Sequence, residues 1–339
     1  MEIVRELPRG ANAAWAGALE KPTPRGRRRR RPNWCQRGLW VFREWGQNVQ
    51  FKQTIKHILG LPFSEGMLQF DRASKLSISI RELHDLVLAQ QSVELQRSHP
   101  NPINRFGAKC FSQTDEDGIT LEILKRIGCI ESGAFAEFGV GNGTENNTLI
   151  LKALGWKGFW VGGESLAFEI KQPKDQFSYF REWITLDNIE LLARTGLENL
   201  EAANPDVISI DLDGNDIYFV EKLLSCGVIP EVFIVEYNAK FIPPVRWQME
   251  YDANHVWKGD DYYGASLASF ADLFKKFDFA LVCCNSHSGA NAFFVRADFS
   301  NAFSDVPKNI DDIYVLPRYY LYRSYGHRSS PKTIAKLFA

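Results

Sequence analysis

From about residue 105, the chain alternates between short apolar runs and longer segments with apolar residues at helical spacing. Five runs predict strands, namely AFAEFGV, GFWVGG, REWITL, DVISIDL and EVFIVEY. The segments between them predict helices, namely TENNTLILKALG, DNIELLARTGL and DIYFVEKLLSCG. Several of the strands are almost continuously apolar, as expected when helices cover both faces of a sheet. This alternation predicts an open, mostly parallel α/β sheet.

The last part of this region departs from the alternation. After a predicted helix at about 265–276, the apolar runs FALVCCN and NAFFVRA are separated only by SHSGA. So short a connection predicts a β-hairpin, and therefore an antiparallel end to the sheet. A Rossmann-like sheet of seven mostly parallel strands that ends in such a hairpin is the outline of the class I methyltransferase fold. Dinucleotide dehydrogenases end in a parallel strand instead.

The pattern divides the chain into four regions. Residues 1–50 predict a disordered head, and residues 51–104 predict a helical extension with a helix near 80–97, broken by His-Pro-Asn-Pro. The α/β domain covers 105–300, and 301–339 form a C-terminal extension. Within the domain, Thr114 and Asp117 stand three residues apart before an apolar helical face and predict a capping-box-like helix start.

Composition is that of an ordinary globular protein, with 45% hydrophobic and 24% charged residues and a net charge of -1. The charge is unevenly distributed, because residues 1–45 carry 11 Lys/Arg and only 4 Asp/Glu. The basic run Arg27–Arg31 is a possible nucleic-acid or nuclear-import signal. We read it as part of a solvated tail and expect no nucleic-acid partner, since no nucleic-acid-binding motif accompanies it.

Targeting signals and cysteines add little. No apolar run approaches the ~20 residues that a membrane-spanning helix needs, and the first residues lack a hydrophobic signal-peptide core. The six cysteines form no metal-binding spacing. We expect all six to be reduced thiols in a cytoplasmic protein. The adjacent Cys283 and Cys284 are predicted to point to opposite faces of a strand.

The most informative segment is a glycine loop between the first predicted strand and the helix after it. Glu137 precedes Gly139, Gly141 and Gly143, which are spaced G-x-G-x-G. Glycines let the backbone turn tightly and approach a ligand closely. A dinucleotide loop would place its third glycine where Thr144 stands. The spacing therefore favours S-adenosylmethionine, with Glu137 facing its cationic amine.

A second acid supports this interpretation. The next strand ends in Gly162-Gly163-Glu164, 25 residues after Gly139. A carboxylate at that position accepts hydrogen bonds from ribose hydroxyls in nucleotide-binding sheets. The alternative is a solvated loop acid.

Acidic side chains also end the later strands. The fourth predicted strand, DVISIDL, ends in a segment that contains Asp211, Asp213 and Asp216. The next predicted strand, EVFIVEY, ends in a segment that contains Glu236 and Asn238. Carboxyl ends of adjacent strands meet in the ligand cleft of such sheets. Three readings compete: substrate positioning with acid/base chemistry, a Mg²⁺ site at Asp211 and Asp213, and helix capping by Asp216 or the residue before it.

Further candidates lie in the segments that follow. Tyr262 and Tyr263 precede a helix that Ser266 can cap, and they either line an acceptor site or pack in the core. His287 in the hairpin turn is a candidate general base, although an exposed turn histidine is the simpler interpretation. Asn291 begins the last strand and is expected to face inward.

Taken together, these residues resemble the FkbM-type S-adenosylmethionine-dependent methyltransferases. The resemblance covers about 110–297 and rests on five segments in order: SQTDEDGI, EFGVGNGTENNT, SIDLDGND, VEYNAKF, and YYGASL followed by GANAFFVR. It implies O-methylation of hydroxyls on sugars or small metabolites. It also implies cofactor roles for the glycine loop, Glu137 and Glu164, and an active-site role for Asp211 and Asp213.

The hypothesis is thus an S-adenosylmethionine-dependent O-methyltransferase with a small-molecule or glycan acceptor. Asp211, Asp213, Asp216, Tyr263 and His287 are its catalytic candidates. Asp211 is also a cofactor-binding candidate, and the substrate-binding candidates are Glu236, Asn238 and Tyr262. Two alternatives stay open, namely a nicotinamide-dependent oxidoreductase and an inactive binding module that keeps the fold. The pattern predicts no particular oligomeric state.

Overall fold

The structure, a computed structural model, describes residues 63–317. Contacts divide the chain into two units, 1–81 and 82–339. Of the first unit, the described part is helical. The predicted basic head and the part of the C-terminal extension beyond residue 317 lie outside the described residues.

The second unit is built on one seven-stranded sheet. Its strands are β1 (Ala134–Phe138), β2 (Lys157–Gly162), β3 (Phe177–Arg181), β4 (Val207–Ile210), β5 (Val232–Glu236), β6 (Phe279–Cys284) and β7 (Asn291–Arg296). The helices are α1 (Phe63–Ser98), which begins in the first unit, α2 (Glu116–Ile127), α3 (Leu149–Ala153), α4 (Ile189–Leu200), α5 (Asp216–Ser225) and α6 (Leu267–Lys275).

The strand order is β3-β2-β1-β4-β5-β7-β6. The first five strands of that order are parallel, whereas β7 pairs antiparallel with both β5 and β6. The hairpin between β6 and β7 therefore reaches the same edge of the sheet as the carboxyl ends of the parallel strands. This confirms the predicted fold, a Rossmann-like sheet of the class I methyltransferase type.

Two apolar layers sandwich the sheet. One contains Phe138, Phe159 and Phe233 with the inner faces of α4, α5 and α6. The other contains Phe135 and Trp160 with α2 and α3. Because neighbouring residues of a strand face opposite sides, Cys284 lies in the first layer and Cys283 in the second, as predicted.

Three predicted elements differ in extent. Helix α1 starts at Phe63 rather than near 80. The third strand is Phe177–Arg181 rather than REWITL. Strand β2 ends at Gly162, which pairs with Arg181, so the residues after Arg181 have no strand residue opposite them. One further hydrogen bond, from Glu182 N to Gly162 O, closes the pairing. Helix α3 is only five residues long.

The predicted capping box does not form. The Thr114 hydroxyl donates to Glu116 Oε1 (2.7 Å) instead of capping the helix. Asp117 Oδ2 accepts the backbone N–H groups of residues 110–112. The two acids that begin α2, Glu116 and Asp117, therefore hold the preceding loop. In contrast, Ser266 caps α6 as predicted, since its Oγ accepts from Ser269 N at 3.2 Å.

Two further findings concern the cysteines and the apolar length of the helices among the described residues. The five cysteines among them are all free thiols. Within residues 63–317, none of the helices combines the length and apolarity needed to cross a bilayer.

Candidate active site

The glycine loop connects β1 to α3 at the carboxyl edge of the sheet. Gly139 has a φ of +99°, and a Cβ there would overlap with the backbone carbonyl of Asp211. The N–H groups of Gly139 and Val140 both donate to Val161 O, at 3.0 and 3.1 Å. Position 139 therefore requires glycine, because the ends of β1, β2 and β4 lie too close together there to leave room for a side chain.

Gly141 has a different environment. A Cβ at this position would meet only one atom within 4 Å, Glu164 Oε2 at 4.0 Å. Its backbone also lies outside the positive-φ region. The space above Gly141 is thus open, and the carboxylate at the end of β2 faces it.

The loops that bear Gly141 and Glu164 are fixed to each other and to the sheet. Ala167 N donates to Asn142 O at 2.8 Å. The Tyr179 hydroxyl, on β3, lies 3.0 Å from Gly162 O and 2.5 Å from Glu164 O. The backbone at Glu164 is therefore anchored while its side chain is exposed.

Glu137 is buried and fully engaged. Its two oxygens accept from Asn147 N (3.0 Å), Thr148 N (3.1 Å) and the Thr148 hydroxyl (2.5 Å). Burial raises the pKa of Glu137, and these hydrogen bonds oppose the rise. Its carboxylate holds the irregular chain before α3, which explains why that helix is short. The predicted contact with a cationic amine stays a prediction.

Three carboxylates meet at the ends of β4 and β5. Ligand atoms of Asp211, Asp213 and Glu236 all lie within 4.8 Å of one another. A side-chain hydrogen bond joins Asp211 to Glu236. Burial, followed by the charges of the neighbouring acids, raises the pKa of both carboxyls well above their ordinary values. Because like charges this close resist joint ionisation, the raised pKa values favour one proton shared between the two carboxyls.

Asp213 differs from this pair. It is exposed and has a positive φ of 53°. Desolvation raises the pKa of its carboxyl, and the nearby His255 lowers it. Asp213 is therefore the member of the acidic cluster that is open to an incoming group.

Asp216 has a structural task. Its oxygens accept from Leu212 N (2.7 Å) and Gly214 N (2.9 Å), so they close the turn between β4 and α5. Burial raises the pKa of Asp216 to about 6. The neighbouring Asn215 occupies the N-cap position without a side-chain capping bond. The turn chemistry considered for this segment is thus carried by Asp216, and its catalytic role stays a prediction.

The substrate-binding candidates surround the cluster on the β5 side. Asn238 is buried, and its Nδ2 donates to Asp261 O and Tyr263 O, both at 2.9 Å. Its Oδ1 is buried with no hydrogen-bond partner in the described structure, as is Glu236 Oε2. Tyr262 is half-buried, with its ring centroid 6.4 Å from that of His255.

Two of the predicted catalytic residues have other contacts. Tyr263 is buried, and its ring packs edge-on against Trp257. One ring nitrogen of His287 lies 2.9 Å from Ser92 Oγ on α1. These contacts pack and anchor the two side chains, and their catalytic roles stay predictions.

The hairpin turn forms a closed polar network with the start of α2. Asp115 accepts from the backbone N–H groups of Ser286 and His287, at 3.1 and 3.0 Å. Glu116 Oε1 accepts from Asn285 Nδ2 and Asn291 Nδ2, at 3.0 and 3.1 Å. Burial raises the pKa of Glu116. The expected inward orientation of Asn291 is confirmed, since it is 6% exposed.

His255 is a residue of the candidate site that the sequence analysis did not identify. It lies in an irregular segment, which Asn215 holds through two bonds with the backbone of Asp252, at 2.8 and 3.1 Å. Its ring occupies the space where a Cβ of Gly214 would stand. No periodicity or spacing marks it, because a 30-residue irregular connection brings it back to Asp213.

Comparisons with known proteins found weak structural similarities. The chain is similar to CalO1, a methyltransferase in calicheamicin biosynthesis solved with SAH bound, with 13% identity, a TM-score of 0.30 and 71% of this chain covered. It spans about 63% of CalO1. It is also similar to a putative hemolysin from Streptococcus thermophilus, with 12% identity, a TM-score of 0.31, and 59% of this chain and 77% of that one covered. No protein-family model and no curated protein matches the chain.

Proposed function

We propose that the protein is an S-adenosylmethionine-dependent methyltransferase acting on a hydroxyl oxygen of a sugar or another small metabolite. The observation that carries the proposal is the open space over Gly141, where a Cβ would meet only Glu164 Oε2, at 4.0 Å. Here a Cβ would take up room that the protein itself leaves free. A backbone held open beside a carboxylate suits a ligand with hydroxyls and positive charge.

The cofactor-side roles follow from the neighbours of that space. When bound, S-adenosylmethionine supplies a methyl group carried on a positively charged sulfur. The backbone of 139–143 would hold its amino-acid portion, and Glu164 would accept hydrogen bonds from its ribose. Glu137 and Asp211 lie close to the loop, and a cationic ligand there would favour their ionised forms.

The acceptor-side roles belong to the acidic cluster at the ends of β4 and β5. Glu236, Asn238 and Tyr262 would position the hydroxyl. Asp213 is the carboxylate best placed to take its proton, because it is exposed and has His255 beside it. Asp211 is less suited, since its carboxyl is hydrogen-bonded to Glu236 and its pKa is raised by burial and by the neighbouring acids, which favours the protonated form.

The same cluster suits a cation. Three carboxylates whose oxygens approach a common point are ligands of the kind that Mg²⁺ accepts in proteins. We keep Mg²⁺ at Asp211 and Asp213 as a secondary proposal, with Glu236 as a third ligand. A cation there would displace the shared proton and orient an acceptor hydroxyl.

Calorimetry tests the proposal directly. The protein should bind S-adenosylmethionine and S-adenosylhomocysteine but not NADH. Tight NADH binding without either adenosyl ligand would instead support the oxidoreductase alternative. Cofactor binding with no methyl transfer across a broad panel of hydroxylated acceptors would support the inactive module.

A further inference from the structure

Trp183 is a large apolar side chain that is exposed yet held in place. Its relative exposure is 54%. The indole Nε1 donates to Ala253 O at 2.8 Å, and the carbonyl of Trp183 accepts from Asn188 Nδ2, also at 2.8 Å. An exposed indole fixed by its one polar atom offers a rigid aromatic surface at low cost in side-chain entropy.

This surface lies next to the open part of the site. Just past β3, Glu182 N donates to Gly162 O at 3.0 Å, which keeps the chain alongside the end of β2. A Cβ at Gly163 would lie 3.6 Å from Cε3 of the Trp183 ring. The indole is therefore in van der Waals range of the backbone that carries Glu164.

Three consecutive strand ends thus present three kinds of group. The strand order β3-β2-β1 places the exposed indole, the exposed carboxylate and the glycine loop side by side, about 5 Å from one strand to the next. In a nucleoside, the base follows directly from the ribose. A ligand with its ribose at Glu164 and its other end over Gly141 would extend its base towards β3.

We propose that Trp183 stacks on the adenine of the adenosyl ligand and is a main source of cofactor affinity in this protein. The inference rests on the proposed function. It identifies a positioning residue for the cofactor that no motif in the sequence indicates. Stacking of a base on an aromatic side chain contributes about 1–3 kcal/mol by alanine substitution.

A structural role for Trp183 makes a different prediction. The Nε1–Ala253 bond ties β3 to the segment that carries His255. If that tether were the only purpose of Trp183, any residue lacking the indole N–H would have the same effect as alanine. Phenylalanine separates the two roles, because it keeps an aromatic face and loses the donor.

The test is titration calorimetry of S-adenosylhomocysteine against the full chain and three variants, with Tm measured for each. We expect Trp183→Ala to weaken binding about 5- to 150-fold, from the 1–3 kcal/mol above. Trp183→Phe should stay within about 5-fold of wild type. Leu191→Ala, at a 67% exposed position on α4, is the matched control and should bind like wild type.

The outcomes are distinguishable. Wild-type affinity in Trp183→Ala would overturn the inference and leave the proposed function standing. Equal losses in the Ala and Phe variants, with a lowered Tm in both, would overturn it in favour of the tether. If the wild-type chain fails to bind S-adenosylhomocysteine, the proposed function fails, and this inference fails with it.

Discussion

The carboxyl edge of the sheet has two ends that look alike in sequence and differ in structure. At the open end, the loop at Gly141 faces an exposed Glu164. At the closed end, Asp115 and Glu116 are 4% and 1% exposed, and their oxygens accept hydrogen bonds from the hairpin turn. Both ends are rich in polar and acidic residues.

The difference separates binding from architecture. Polar groups whose partners come from the chain itself stabilise the fold and have little capacity left for a ligand. Polar groups that the fold leaves exposed around an open space are available to bind. The acids of SQTDEDGI are of the first kind, and Glu164 is of the second.

The largest expected effect contrasts two glycines of the open end. Gly141→Val should fold normally, because its Cβ enters open space, and should lose more than about 100-fold in S-adenosylhomocysteine affinity by filling the ligand's place. Gly139→Ala should fail to fold stably, because its Cβ overlaps with Asp211 O. Circular dichroism and calorimetry measure both. Retained affinity in Gly141→Val would show that the loop is not the cofactor site.

The second prediction compares a substitution at the closed end with a substitution at the open end. Glu116→Ala should lower the free energy of unfolding by about 3 kcal/mol while leaving ligand affinity unchanged, since it removes the acceptor of the buried Asn291 amide and of the Thr114 hydroxyl. Glu164→Gln should do the reverse. It should weaken binding roughly 10-fold and change stability by less than about 0.5 kcal/mol. Urea denaturation and calorimetry check both, and swapped phenotypes would contradict the comparison.

The acidic cluster lies between the two ends and makes stability depend on pH. The pKa values of Asp211 and Glu236 are raised in the fold, so the folded state binds more protons than the unfolded chain above pH ~4. The contribution of these two carboxyls to the free energy of unfolding should therefore be fully present at low pH. It should decline as pH rises through the raised pKa values. Glu236→Gln, which stays neutral, should reduce this decline.

We therefore expect the drop in Tm between pH 5 and pH 8 to be smaller in Glu236→Gln than in wild type. Equal slopes for the two proteins would contradict the shared proton. Glu201→Gln, at an exposed position, is the control.

The smallest expected effect concerns Mg²⁺. A site with a Kd near 1 mM would stabilise the fold by about 1.4 kcal/mol at 10 mM Mg²⁺, on the order of 3 °C in Tm. Asp213→Asn should lose this response. If Mg²⁺ does not change the Tm and methyl transfer is unaffected by EDTA, the proposal of a Mg²⁺ site is wrong. The shared proton would then describe the acidic cluster.

Much of the fold was predictable from the sequence. Continuous apolar runs and helical spacing located the sheet, and the short SHSGA connection predicted its antiparallel end. The third strand was misplaced, because REWITL is as apolar as a strand but has no neighbour to pair with beyond Gly162. Pairing is a property of two segments, and a one-dimensional pattern contains only one of them.

The candidate site was predictable where side chains follow directly from strand ends. Asp211, Asp213 and Glu236 do converge, because adjacent parallel strands end at one edge. His255 and Trp183 were missed. Each reaches the site through a hydrogen bond or packing contact with a segment remote in sequence, such as Ala253 for Trp183.

The sequence by itself thus determined the order of elements, the glycine loop and the convergence of acids, since each depends on local spacing and on the geometry of parallel strands. Only the tertiary structure decided which polar side chains are hydrogen-bonded within the chain and which are exposed. It engages Glu116 and Asp216 in hydrogen bonds within the chain and leaves Glu164 and Asp213 exposed. The physical reason is that hydrogen-bond satisfaction depends on partners from distant segments, which are brought together only when the chain folds.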